Sequence, residues 1–205
     1  MGRKPRSQGR SVIHDWLAGQ ALSHFRSKWT GRGGRGGLEF RVPGDGSYIA
    51  DAAAIGALQG QHYQRYLSEW GFSYRRIDFK ATDTDGPENY FTMIFEAKAS
   101  RSDFKSTFGN GDKHRNRFSP VAHLHFIVAN KGVCLPQEIP DFWGLFVRSG
   151  RGITLIKYPE YIARTPEEID QFAHALLWVK TKGTWRHGSE IPESMRVPNL
   201  GPYDY

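Results

Sequence analysis

The sequence predicts a single α/β domain in which a mixed central β-sheet is flanked by helices. Near both ends of the chain, apolar residues recur at the period of an amphipathic helix. Between those stretches, short apolar runs are separated by turn-forming Gly, Pro, Asn and Asp residues, a pattern typical of strands. The chain has 205 residues, of which 39% are hydrophobic, and this is enough for one good core.

The N-terminal region predicts a helix behind a basic arm. Residues 1–10 are basic and rich in turn formers, and Ser11 can cap a helix that runs to about Trp29. The apolar stripe of this helix consists of Ile13, Trp16, Leu17, Gln20, Ala21, His24 and Phe25. Residues 31–37 (GRGGRGG) predict a loop, because glycine loses more conformational freedom than any other residue in an ordered element.

The middle of the chain predicts strands and one helix. Leu38–Val42 has the character of a short strand, and Tyr48–Leu58 is an apolar run with a single charge. Residues 60–70 can form a helix with their aromatic side chains inward. Residues 72–79 and 90–98 have the character of strands, and the turn-rich segment between them predicts that they pair as a hairpin.

The C-terminal half predicts three more strands and a helix. The strands are expected at residues 123–129, 143–148 and 153–158. Thr165 and Glu168 form a capping box that starts a helix over residues 166–180. Residues 11–182 are therefore the expected domain, and residues 183–205 an irregular tail.

Charge and cysteine content narrow the classes of function. A net charge of +7 favours a polyanionic partner such as nucleic acid. The single Cys134 excludes an internal disulfide and a cysteine-built zinc site, which fits a reducing cytoplasm. The sequence has no apolar stretch near the roughly 18 residues of a membrane span, and no apolar segment behind its basic N-terminus. We therefore expect a cytoplasmic protein with no membrane partner.

The most informative motif is Glu96-x-Lys98 at the end of an apolar run. Residues two apart in a strand share a face, so Glu96 and Lys98 lie side by side while Phe95 and Ala97 point the other way. A carboxylate and an ammonium are costly to bury unless they are paired or used. A helix is predicted next, with Ser100 as its cap. For a bare motif of this kind, an ion pair at a strand edge is the more common explanation.

Asp51 is a lone acid within the apolar residues 49–55. A buried carboxylate at this position would need a metal, a cation or several hydrogen bonds. Together with Glu96 it makes a two-carboxylate set that can hold a hard cation through oxygen. Mg²⁺ or Mn²⁺ is the expected ion, because oxygen donors suit it and soft ligands are missing from the motif.

This pattern resembles the PD-(D/E)XK nuclease superfamily, in which an aspartate strand precedes a strand that ends in acid-x-lysine and leads into a helix. Residues 95–104 (FEAKASRSDF) are similar to a branch that reads roughly E-[IV]-K-x-S-R-S-D-F and occurs in phage, mobile-element and DNA-repair proteins. Residues 50–55 (ADAAAI) match the aspartate strand of that branch, and residues 126–129 and 139–145 match later parts loosely. The resemblance covers roughly residues 48–158.

The resemblance implies a restriction-endonuclease-like fold and metal-dependent hydrolysis of phosphodiester bonds in DNA. It implies that Asp51, Glu96 and the backbone carbonyl of Ala97 bind Mg²⁺ or Mn²⁺, and that Lys98 assists the attacking water. Asp51 and Glu96 are farther apart in the sequence than is usual in the superfamily. Asp78 therefore stays an alternative acid, although the residues around Asp51 fit the branch better.

Several other residues are candidates for the site. Asp15 and Glu39 can add an acid, although solvent exposure is the simpler interpretation of both. His123 and His125 share a strand face, where a structural or DNA-facing role is favoured over a metal pair. Cys134 is expected to be an inert small hydrophobe. Contacts with nucleic acid are expected from Arg101, Lys105, Lys113, His114, Arg115 and Arg117.

Two classes of function fit these features. The first is a Mg²⁺-dependent deoxyribonuclease with DNA as its partner, acting alone or as a homodimer. The alternative is a nuclease-like fold that binds nucleic acid or a protein partner without cleavage. Binding of Mg²⁺ or Mn²⁺ near Glu96 would favour the nuclease over a protein that binds without cleavage. A DNA affinity that falls steeply with salt would argue against a module that binds only a protein partner.

Overall fold

The computed structural model describes residues 12–29, 35–43, 48–56, 58, 61, 65, 91–108, 120–177 and 179. These residues form an α/β fold in which helices pack on a mixed six-stranded sheet, as the sequence predicts. In chain order the elements are α1 (Val12–His24), a π-helical segment (Phe25–Trp29), β1 (Arg35–Arg41), β2 (Ile49–Gly56), β3 (Phe91–Lys98), α2 (Arg101–Phe108), β4 (Leu124–Ala129), a 3₁₀ turn (Pro136–Glu138), β5 (Trp143–Ser149), β6 (Gly152–Lys157) and α3 (Pro166–Leu177).

The strands lie in the sheet in the same order as in the chain. β1, β2 and β3 are antiparallel neighbours, β3, β4 and β5 are parallel, and β6 returns antiparallel to β5. The parallel centre explains why β3 and β4 are buried along their whole length, since both faces of such strands are covered.

The helix α1 covers one face of the sheet. Its stripe of Trp16, Leu17 and Ala21 is buried, and the π-helical segment continues it with Phe25 and Trp29. Small residues in β2, Ala52 and Ala54, lie in the same core cluster and leave room for the helix to approach. The ring of Trp29 meets the rings of Phe126 and Phe146 edge-on. Phe126 also stacks on Phe95 and lies tilted against Phe146.

The other face is covered by α2 and α3. Phe104 of α2 packs in a cluster with Ile127 and Trp143, and Phe172 of α3 packs in a cluster with Phe40 and Ile94. The capping box that starts α3 is present: the Glu168 N–H donates to Thr165 Oγ1 over 3.3 Å, and the Thr165 N–H donates to Glu168 Oε2 over 2.8 Å. α3 ends at Leu177, whereas the sequence predicted an end near residue 180.

The prediction of a loop over residues 31–37 is wrong for its last three residues, because β1 begins at Arg35. A Cβ on Gly36 would lie 2.7 Å from Leu22 Cδ2, and one on Gly37 would lie 2.6 Å from Val179 Cγ1. Successive strand residues face opposite sides of a sheet, so the two glycines let both neighbouring layers approach closely. Here glycine serves packing and not chain reversal.

The predicted hairpin between residues 72–79 and 90–98 is also wrong. One edge of β3 pairs with β2, from Ala52↔Phe95 to Gly56↔Phe91, and the other edge pairs with β4. A strand has only two edges, so β2 takes the antiparallel position that the hairpin would have filled.

Some predicted features lie outside the described residues. They include the arm 1–10, the cap at Ser11, the strand 72–79 with Asp78, most of the helix 60–70, the tail 183–205, and the basic residues Lys113, His114, Arg115 and Arg117. In the part of the chain that is described, no helix is long and apolar enough to cross a membrane.

Candidate functional site

The site lies where β2 begins and β3 ends. The paired region of the two strands stops at Ala52↔Phe95, one position before Asp51 and Glu96 would face each other. In an antiparallel pair, facing residues point to the same side of the sheet. The structure therefore brings Asp51, Glu96 and Lys98 together, and each of these residues is 5% exposed.

The carboxylate of Asp51 closes the gap between the two strands. Its Oδ2 atom accepts the backbone N–H of Ala97 over 2.9 Å, in place of a backbone carbonyl of β2. The same oxygen lies 3.0 Å from Nε2 of His14, which reaches it from α1. The N–H and C=O groups of one strand residue point to the same neighbouring strand. The carbonyl of Ala97 is therefore directed toward β2 and Asp51 as well.

The carboxylate of Glu96 is contacted by Tyr48 and Lys98. Tyr48, which precedes β2, donates its hydroxyl to Glu96 Oε1 over 2.8 Å, and Lys98 Nζ lies 3.3 Å from Glu96 Oε2. The pKa of Glu96 is raised to about 7, first by burial and then by the nearby charge of Asp51, against the opposing effects of Lys98 and Tyr48. Among the described residues, two buried carboxylates thus lie close together beside the ammonium of Lys98, an arrangement that suits a divalent cation.

The ammonium of Lys98 stands at the edge of this carboxylate pair. Its Nζ also lies 5.9 Å from the centre of the Phe108 ring at the end of α2. α2 begins directly behind the motif, because Ser100 Oγ accepts the N–H of Asp103 over 3.2 Å and caps the helix. The carboxylate of Asp103 in turn accepts the N–H of Ala99 over 3.3 Å. These bonds fix the turn that follows Lys98.

The donor set is one of oxygen atoms. Within the described ranges, no group of three or more His, Cys, Asp and Glu side chains is arranged to hold a metal ion. Two carboxylates and a backbone carbonyl are fewer ligands than Ca²⁺ or structural Zn²⁺ sites use. They are enough for Mg²⁺, which commonly keeps several waters and is held by one or two carboxylates together with substrate phosphates.

Arg101, predicted to contact nucleic acid, is bound to protein groups in the structure. Its guanidinium forms a two-pronged ion pair with Glu138, and its Nη1 also donates to the carbonyl of Val133 over 3.0 Å. Arg101 thus holds the loop after β4 against α2, and its side chain stays 41% exposed. Lys105, one turn farther along α2, is exposed, as a residue that contacts nucleic acid must be.

Asp15 and Glu39 lie at the surface near the site. The Asp15 side chain is 50% exposed, and its Oδ1 lies 3.5 Å from His14 Nδ1. Glu39 is exposed in β1 and has a φ of 55°, while the pairing of β1 with β2 passes from Leu38↔Ala52 to Phe40↔Ala50. The solvent-exposed interpretation of both residues agrees with these positions.

His123 and His125 are core residues. Nδ1 of His123 accepts the N–H of Thr92 over 2.9 Å, and Nε2 of His125 accepts the N–H of Val121 over 3.3 Å. Burial lowers the pKa of both histidines to about 3, so they are neutral and structural. Cys134 is buried too, and burial raises the pKa of its thiol to about 11, as expected of an unreactive side chain.

Two residues of the site were missed by the sequence analysis. His14 lies three residues before Leu17 and seven before Ala21, so it continues the buried stripe of α1. It is therefore a polar residue on an apolar helix face. That spacing was a usable signal. Tyr48 carries no such signal, because its contact with Glu96 spans 48 residues of sequence and depends on the register of β2.

Comparisons with known proteins leave the function open. The chain matches no protein-family model, and no curated protein matches it significantly. Among solved structures, it is similar to the SPO1766 protein of unknown function from Silicibacter pomeroyi, with a TM-score of 0.52 and 15% sequence identity. The similarity covers 82% of this chain and 86% of that one. At this level of identity the similarity concerns the fold alone.

Proposed function

We propose that the protein is a metal-dependent nuclease that hydrolyses phosphodiester bonds in DNA. The observation that carries the proposal is the buried set of Asp51, Glu96 and Lys98 at the point where β2 and β3 stop pairing. Burial of two acids and one ammonium costs free energy that a purely structural role could avoid with apolar residues. The FEAKASRSDF motif, which resembles a nuclease branch, and the net charge of +7 support the same function.

The residues fit a divalent cation held by oxygen. Asp51, Glu96 and the carbonyl of Ala97 would bind Mg²⁺ or Mn²⁺, and the closeness of two buried carboxylates, which raises the pKa of Glu96, favours such an ion. When bound, such an ion activates a water molecule for attack and neutralises charge on the phosphate. The proposed partner is DNA, and the proposed compartment is the cytoplasm, in keeping with a single buried cysteine.

Lys98 acts on the reacting groups in this proposal. Its ammonium lies 3.3 Å from a carboxylate oxygen of the ion-binding pair, so its charge is next to a phosphate held there. It donates hydrogen bonds to the attacking water and to the phosphate oxygens, where negative charge grows. The cap of α2 at Ser100 keeps the turn after Lys98 in place while this happens.

The test is cleavage of linear, circular, branched and single-stranded DNA, and of RNA, with Mg²⁺ or Mn²⁺. The parent protein is compared with Glu96→Gln, which keeps the shape of the side chain and removes its charge. Glu160→Gln is a matched control, because Glu160 is an exposed acid far along the chain in a segment between β6 and α3. Parent and control are expected to cut at least one DNA form, and Glu96→Gln is expected to cut none.

The outcomes separate the two classes of function. Equal cleavage by the parent and Glu96→Gln would rule out the proposed site. Binding of DNA without cleavage by the parent, in the presence of either metal, would support the alternative of a nuclease-like fold that binds without cutting.

A further inference from the structure

Asp51 and Glu96 each have one carboxylate oxygen in contact with a side chain that has no part in the proposed reaction. Oδ2 of Asp51 is within 3.0 Å of His14 Nε2 and also accepts the N–H of Ala97. Oε1 of Glu96 accepts the hydroxyl of Tyr48 over 2.8 Å. The two contacts come from α1 and from the segment before β2, and both are partly buried.

We propose that His14 and Tyr48 are positioning residues that hold Asp51 and Glu96 for coordination through one oxygen each. They thereby make the site selective for a small octahedral cation, Mg²⁺ or Mn²⁺, over Ca²⁺. This inference rests on the proposed metal-dependent function.

The geometry of His14 suits this role. An ionised carboxylate only accepts hydrogen bonds, so Nε2 of His14 carries the hydrogen that points at Asp51. The imidazole side chain is 12% exposed, and its other nitrogen lies 3.5 Å from Asp15 Oδ1. The surrounding protein therefore limits the rotation of this mostly buried ring, which keeps Asp51 Oδ2 in place.

Selectivity follows from how the two kinds of cation use carboxylates. Ca²⁺ takes about six to eight oxygens at about 2.3–2.6 Å and commonly binds a carboxylate through both oxygens. Mg²⁺ takes about six in an octahedron at about 2.0–2.1 Å, often one from each carboxylate. Asp51 can chelate Ca²⁺ through both oxygens only by giving up the bonds from His14 and Ala97 to Oδ2.

The experiment measures the binding of Mn²⁺ alone, by the paramagnetic resonance of the free ion, and of Ca²⁺ alone, by calorimetry. The variants are His14→Leu and Tyr48→Phe, which remove one donor each and keep most of the volume. His14→Gln keeps an N–H donor near the Nε2 position and serves as the rescue variant. His174→Leu is the matched control, because His174 is exposed on α3. Glu96→Gln reports loss of the site itself.

We expect His14→Leu and Tyr48→Phe to bind Mn²⁺ about 10- to 100-fold more weakly than the parent, as is usual for the loss of a residue that orients a metal ligand. Affinity for Ca²⁺ is expected to change far less, so the preference for Mn²⁺ falls. His14→Gln and His174→Leu are expected to stay near the parent for both ions.

Two results would overturn the inference while leaving the proposed function intact. One is an unchanged Mn²⁺ affinity in both variants, and the other is an equal loss for Mn²⁺ and Ca²⁺, which would indicate damaged packing. A parent that binds no Mn²⁺, or a Glu96→Gln variant that binds it as tightly as the parent, would instead contradict the proposed function, and with it the inference.

Discussion

At the scale of single residues, the site depends on charges that are buried close together. The sequence alone predicted that Glu96 and Lys98 lie side by side, because residues two apart in a strand point to the same face. Asp51 was found because it is a lone acid in an alanine-rich run, but its hydrogen bond to Ala97 depends on where the pairing of β2 and β3 stops. The position of His14 on the apolar stripe of α1 was a usable signal, whereas the contact of Tyr48 with Glu96 depends on tertiary packing and could not be predicted.

Replacement of Lys98 is the sharpest test of the reaction chemistry. Lys98→Met keeps the aliphatic stem and removes the ammonium that lies 3.3 Å from Glu96 Oε2. We expect the cleavage rate with Mg²⁺ to fall about 100- to 1,000-fold, as for the loss of one charge-stabilising group. Lys28→Met, which removes an exposed lysine from the π-helical segment, is the control and should cut like the parent. Undiminished cleavage by a folded Lys98→Met variant would exclude the mechanism.

The Arg101–Glu138 ion pair predicts how the stability of the fold depends on pH at the acidic end. The hydrogen bonds from Arg101, and then the N–H of Leu135, lower the pKa of Glu138 from 4.5 to about 2. An acid with a lowered folded-state pKa stabilises the fold above its unfolded pKa and loses that contribution as the pH falls through the folded value. Glu138→Gln should therefore lose less thermal stability than the parent between about pH 5 and pH 2. Thermal unfolding followed by circular dichroism measures the difference, and parallel curves for the two proteins would contradict it.

At the scale of elements, local patterns predicted most helices and strands, and the failures occurred where packing overrides local preference. The capping boxes and apolar stripes located α2 and α3 to within a few residues. The glycines at 36 and 37 suggested a loop, yet they lie in β1 because Leu22 and Val179 approach them closely. The partner of β3 was mistaken because sequence proximity favoured a hairpin, whereas β2 pairs with it from much earlier in the chain.

The same kind of close packing predicts the effect of a small substitution in β5. A Cβ on Gly144 would lie 2.7 Å from Pro159 Cδ, 2.8 Å from Phe126 Cδ1 and 2.9 Å from the carbonyl of Lys157. Two of these neighbours are part of rigid groups, so Gly144→Ala should lower the free energy of unfolding by about 1–3 kcal/mol. Gly152→Ala in β6 is the matched control: its Cβ would have nothing within 4 Å, and its effect should stay within about 0.5 kcal/mol. Urea denaturation of both variants decides the point.

At the scale of the whole molecule, the sequence predicted the α/β class and the mixed sheet, because the alternation of apolar runs and turns is a property of the complete chain. The order of the strands was not predictable, since it depends on contacts between distant segments such as β2 and β3. The net charge of +7 is likewise a property of the whole chain, and it bears on partners more than on the fold.

This charge predicts a DNA affinity that depends strongly on salt. For duplex DNA, the logarithm of the affinity falls by about 0.9 per phosphate contact for each tenfold rise in salt. About three contacts would therefore lower the affinity of Glu96→Gln, used because it should not cut, roughly 40-fold between 50 and 200 mM salt.

Lys105→Gln should reduce the salt slope by about one contact, because Lys105 is exposed on the helix behind the site. Lys28→Gln removes the same charge elsewhere and should leave the slope unchanged if binding is local to α2. Equal effects of the two substitutions would assign the affinity to net charge alone. A negligible affinity at low salt would instead favour a protein-interaction module whose basic residues maintain solubility.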